Sequence, residues 1–197
     1  RVACDGLAYS TKVISGHEIC RKTLMRSTYP FLSPSALLIR AFLIHNRDPF
    51  YPGPNLEADV DVLYELLKQH DFAFVPQVLT FVRRHDASAT ATLAKPLNTL
   101  LPQRLVLLRK HGPEFLTKDE YYQEIKFQLK KYYKFLAKSI YKNKNKDFWI
   151  FHKNAMQKSG FPLSPIRLHI FWILHNIDKV KNRIEKFLIN RLIRSKN

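Results

Sequence analysis

Lysine recurs at every fourth position through Lys126, Lys130, Lys134, Lys138 and Lys142. Tyr122, Ile125, Leu129, Tyr132, Leu136 and Ile140 recur between them at three- and four-residue spacing. Only an α-helix separates two such sets onto opposite faces, because a strand with its period of two would mix them. The lysine face reads as solvated surface over a packed aromatic core, the aliphatic stems lying along apolar neighbours. Thr117, with Glu120 three residues on, has the spacing of a capping box and marks where this helix begins.

The rest of the second half follows the same period. Leu97 to Lys110 reads as a helix stopped by His111-Gly112-Pro113. After a charged linker at Asn143 to Lys146, a further helix over Asp147 to Lys158 carries Phe148, Trp149, Phe151 and Met156, and Ser159-Gly160 ends it. Ser164-Pro165 opens the last helix, with proline at the first helical position, where its missing N–H costs nothing. Its apolar stripe is Ile166, Ile170, Ile173, Ile177, Val180, Ile184 and Leu188, flanked by Lys179, Lys181, Arg183, Lys186, Arg191 and Arg194. Such a basic amphipathic segment, 164–195, can lie on an anionic membrane surface or pack on its neighbours with a wet basic back.

Charge divides the chain in the same way. Of a net +17, residues 1–100 hold 11 Lys and Arg against 9 Asp and Glu, and residues 101–197 hold 22 against 7. The basic half therefore calls for an acidic partner: anionic lipid, a charged acceptor or nucleic acid. Against nucleic acid, the lysines are spread along whole helices and no recognised nucleic-acid motif appears. Two cysteines, Cys4 and Cys20, make no disulfide framework and no zinc-like cluster, so a reducing cytoplasmic setting is the default, with attachment at the inner face of the membrane as an option. The longest apolar run, Leu168 to Leu174, is far short of the roughly 18 residues a membrane span needs. The opening RVACDGLAYS lacks the charged-then-apolar order of a signal peptide, and a first residue of Arg reads as a fragment or a processed form.

The first half is organised around Asn55 to Ser88. Val60, Leu63, Leu66 and Leu67 recur at helical spacing and predict a short surface helix, with Asp59 placed to cap it. Phe72, Phe74 and Val75, then Val78, Leu79, Phe81 and Val82, suit strands, with a break at Pro76. Arg83-Arg84-His85 closes the run. Upstream, Ser15 with Glu18 has capping-box spacing, and Ser33-Pro34-Ser35 is turn chemistry before the apolar Ala36-Leu37-Leu38-Ile39, read as a buried strand or short helix.

This order of acidic residues, helix, short strand, Val-Pro, apolar strand and Arg-Arg-His resembles the second half of an inverting family 2 glycosyltransferase with a GT-A fold. Leu38-Ile39-Arg40 and Asp48-Pro49-Phe50 extend the resemblance upstream. It implies that Asp59 is the general base for an acceptor hydroxyl, with Glu57 and Asp61 beside it in the acceptor loop. It implies that Arg83 and Arg84 face the donor diphosphate and that His85 helps hold a divalent metal, manganese or magnesium. Ala58 stands where the family often has Glu. The implied partners are a nucleotide-sugar donor and a glycan or surface-polysaccharide acceptor.

The expected architecture is α/β over 1–92, a partial GT-A-like domain with an incomplete sheet forming the acceptor half, followed by a basic, mostly α-helical extension over 93–197. The literal Asp59-Val60-Asp61 opens a helix and belongs to the acceptor half, so the donor-binding half with its metal motif is missing, and this chain alone is expected to be inactive. No Walker, GxGxxG or GxSxG sequence offers another chemistry. A non-catalytic remnant, or a basic helical module binding nucleic acid or an anionic membrane, is the alternative.

Overall fold

The computed structural model describes residues 7, 10, 13–31, 34–51, 58–75, 77, 79–81, 86–88, 91–92, 95–142 and 144–177. These residues are mostly helical, with a single two-stranded sheet among them. In chain order they form β1 (Val13–Ile14), α1 (Gly16–Leu24), a 3-10 turn at Pro34–Ala36, α2 (Ala41–His45), α3 (Ala58–Leu66) and β2 (Phe72–Ala73). Then come α4 (Lys95–Leu97), α5 (Leu100–Phe115), α6 (Lys118–Ile140), α7 (Lys146–Lys158) and α8 over 165–177.

The chain divides into two compact units, Arg1–Lys126 and Phe127–Asn197. Within the first, α1 packs against α5, and Arg26 pairs with Glu124 at 2.9 Å. In that first unit Ile19, Cys20, Phe31, Val62, Leu105, Leu108 and Phe115 are buried. Ser15 caps α1 as its spacing predicts, its Oγ accepting from Glu18 N at 3.1 Å. The capping box at α6 also forms: Thr117 Oγ1 accepts from Glu120 N at 3.3 Å, and Glu120 Oε2 accepts from Thr117 N at 3.0 Å.

Three elements of the first half differ from expectation. Among the described residues of 72–82 the expected strand is seen only at Phe72–Ala73, antiparallel to β1 with Ile14 opposite Phe72, while Val75, Leu79 and Phe81 are exposed. β2 finds only a two-residue partner among the described residues, and a strand lengthens only where its backbone groups are paired. The segment Ala36 to Ile39 is neither strand nor buried, and Leu38 is fully exposed. Helix α3 is no surface helix, because Ala58 and the run Val60 to Tyr64 are buried.

Close packing causes that last difference. Gly16, at the start of α1, sits so near the end of α3 that a Cβ there would lie 2.0 Å from Leu67 O and 2.1 Å from His70 O. Phe31 and His111 meet the Tyr64 ring at centroid distances of 5.6 and 4.9 Å.

Helix α5 also runs through the expected stop at His111-Gly112-Pro113 and ends at Phe115. Pro113 falls in the last turn, where it removes one hydrogen bond, and burial of His111 and Phe115 outweighs that loss.

In the second unit Tyr132, Tyr133, Leu136, Phe148 and Met156 are buried. Tyr132 Oη and His152 Nδ1 stand 2.6 Å apart in its core. Asn145 caps α7 by accepting from Phe148 N at 3.0 Å, and Gly160 follows the helix at φ +78°. Along α6 the expected faces hold at Ile125, Tyr132 and Leu136, which are buried, and at the five lysines through Lys142, which are exposed. Tyr122 and Ile140 are exposed instead. No helix among the described residues is long and apolar enough to cross a membrane.

Candidate functional site

Helix α3 carries three acidic residues whose environments separate sharply. Asp59 stands in its first turn, half-buried, with Oδ1 accepting from Val60 N at 2.9 Å. An acidic side chain there meets orphan N–H groups and the positive end of the helix dipole. No hydrogen bond from a described residue reaches its second oxygen.

Asp61 and Glu65 lie one turn apart on the face turned toward α5, which supplies Lys110 and His111. Lys110 Nζ donates to both Asp61 oxygens at 2.8 and 2.9 Å and lies 3.3 Å from Glu65 Oε1. His111 Nε2 donates to Asp61 Oδ1 at 2.6 Å. Lys68 holds the other Glu65 oxygen at 2.8 Å. The imidazole is fully buried and stacks on Tyr64 at an interplanar angle of 23°.

The electrostatics follow from this arrangement. Burial alone would raise the Asp61 carboxyl, but hydrogen bonds from Lys110 and His111 outweigh it and hold it below the usual carboxylate range. Burial lowers His111 and prevails over the opposing pull of Asp61, so the ring is neutral at pH 7. Burial lowers Lys110 as well, yet the two carboxylates together raise it. With its one proton on Nε2, His111 turns the lone pair of Nδ1 toward Glu65 Oε1 at 3.7 Å, too far for a hydrogen bond.

Among the described residues, Asp61, Glu65 and His111 are the one group whose ligand atoms, all within 4.8 Å of one another, could surround a metal ion. They do not fit a divalent ion as they stand. The Lys110 ammonium already supplies the positive charge between the two carboxylates, and the Nε2 proton is directed at Asp61. The Asp–His pair is closed to solvent at the imidazole, which is fully buried. The cluster is a structural tie between α3 and α5.

Of the residues singled out in the sequence, Asp59 and Asp61 are placed, and their hydrogen-bond partners differ. Glu57, Arg83, Arg84 and His85 lie outside the described residues. Glu65, Lys110 and His111 were not foreseen as a group. The i,i+4 pair Asp61 and Glu65 was a visible signal of a shared face, but its partners lie 49 and 50 residues from Asp61. No protein-family model, curated protein or solved structure matches this chain.

Proposed function

We propose that this chain is the acceptor-side, GT-A-like part of an inverting glycosyltransferase, with Asp59 as the general base. The observation that carries the reading is the contrast between the two carboxylates of Asp59-Val60-Asp61. Asp61 is engaged by Lys110 and His111, whereas Asp59 stands half-exposed at the helix mouth with one oxygen unengaged by any described residue. A base must reach the proton it removes, and of these two only Asp59 can.

In this reading the acceptor hydroxyl loses its proton to Asp59 as its oxygen bonds to the anomeric carbon of a nucleoside-diphosphate sugar. The bond from that carbon to the diphosphate breaks on the opposite face, which inverts the configuration. Arg83 and Arg84 oppose the charge left on the diphosphate. A divalent ion held with the help of His85 would supply further charge neutralisation there.

The test is Asp59→Asn in the full-length gene product, assayed with nucleoside-diphosphate sugars. Asparagine keeps the oxygen that accepts from Val60 N, so the helix start is retained. Turnover is expected to fall about 10²- to 10⁴-fold, the range for loss of a general base, with donor affinity unchanged. A variant that keeps more than a tenth of wild-type turnover removes Asp59 as the base.

A further inference from the structure

Helix α8 is apolar on two opposite sides. Leu168, Phe171, Trp172 and His175 form its part-buried side. Phe171 stacks on Tyr133 at 5.6 Å, Trp172 on Tyr141 at 6.2 Å, and Tyr133 Oη accepts from Ser164 N at 2.9 Å to fix the helix start. On the far side Ile166 (74% exposed), Ile170, Ile173, Leu174 and Ile177 (56%) lie in solvent. At 100° per residue these five fall within an arc of roughly 100°, a continuous stripe about 17 Å long. A helix whose opposite faces are both apolar is stable when both are covered, and the described residues cover one.

The charge around the stripe indicates what covers the other. Residues 127–197 hold 17 Lys and Arg against 3 Asp and Glu. Arg167 is exposed on α8 at the edge of the stripe, about 20° round the helix from Leu174. The sequence continues with Lys179, Lys181, Arg183 and Lys186. A second copy of this unit would bring like charges together over the stripe, which opposes self-association. An anionic lipid surface offers acyl chains to the isoleucines and negative headgroups to Arg167 and to a unit of this net positive charge.

We propose that α8 docks this unit on an anionic bilayer, lying in the interface with Ile166, Ile170, Ile173, Leu174 and Ile177 buried and Arg167 on the headgroups. The docking does not depend on the glycosyl-transfer reading.

The experiment is co-sedimentation of the 197-residue chain with vesicles of phosphatidylcholine, with and without phosphatidylglycerol. Binding is expected only with phosphatidylglycerol and is expected to weaken as salt is raised. The triple variant Ile170→Ser, Ile173→Ser, Ile177→Ser is expected to bind about tenfold more weakly or worse, with unchanged circular dichroism because all three sites are exposed. Ile170→Leu, which keeps the apolar area, is expected to bind as the wild type does. Absence of wild-type binding at low salt overturns the proposal without reference to any variant. So does equal binding by the folded triple variant, or a wild-type dimer in sedimentation equilibrium that the triple variant dissolves, which would make a second copy the occupant.

Discussion

Replacing Asp61 by alanine is expected to destabilise the first unit by about 2 kcal/mol, within the range for leaving a buried donor without its acceptor. The cost falls unevenly on the partners left behind. The Lys110 side chain is 45% exposed, so its ion pair is screened by water, and Lys110→Met, which leaves Asp61 its His111 hydrogen bond, is expected to cost only about 1 kcal/mol or less. His111 has no such screening, since its side chain is fully buried and in Asp61→Ala its Nε2 proton would face a cavity. Urea unfolding of the two variants beside wild type measures the asymmetry. Equal losses would mean that the Lys110 pair, and not the His111 hydrogen bond, holds α3 to α5.

The same cluster sets a pH dependence. His111 has a folded pKa below its unfolded value, so as pH falls through about 6.5 the unfolded chain takes up a proton before the folded one does. Its contribution to stability is therefore full above that pH and declines below it. Asp61 also has a depressed folded pKa, so its contribution is present above about 4 and is lost as pH falls through the folded value. Both groups act in the same direction, and stability rises with pH from the acid side to neutrality. In His111→Gln, which keeps a donor for Asp61 but does not titrate, the step near pH 6.5 is expected to vanish while the acid step remains. An unchanged slope near 6.5 would assign that step to another histidine.

Gly16→Ala is expected to cost about 3 kcal/mol, the upper end of the range for overpacking. The new Cβ would stand 2.0 and 2.1 Å from the carbonyl oxygens of Leu67 and His70, both backbone atoms that cannot rotate away. Either α1 moves off α3 or the turn after α3 is distorted, and each disturbs buried Ile19, Leu63 and Leu67. Gly112→Ala provides the comparison. There the closest approach is 2.6 Å, to the ring edge of Tyr121, a side chain that can shift, and about 1 kcal/mol is expected. Thermal unfolding of both variants reads the difference. Comparable midpoints would show that the start of α1 yields as easily as a tyrosine ring.

Local signals determined where helices begin and which faces are wet. Ser15 with Glu18, Thr117 with Glu120, and the lysine period along α6 each act within about one turn of helix, and each appears as read. The place of Asp59 in the first turn of α3 was likewise visible in the sequence, because position at a helix start is a local property.

Only the tertiary structure decided the rest. Pro113 failed to end α5 because His111 and Phe115 were drawn into the core, and burial outweighed one lost hydrogen bond. Asp61, next but one to Asp59, was withdrawn from solvent chemistry by a lysine and a histidine about fifty residues away, a pairing that no spacing encodes. The stripe of α8 was legible from its period, but the period is the same for a stripe that is covered and one that is bare. Which side met α6 was decided by Phe171 and Trp172 stacking on Tyr133 and Tyr141, and that choice left the isoleucines facing solvent.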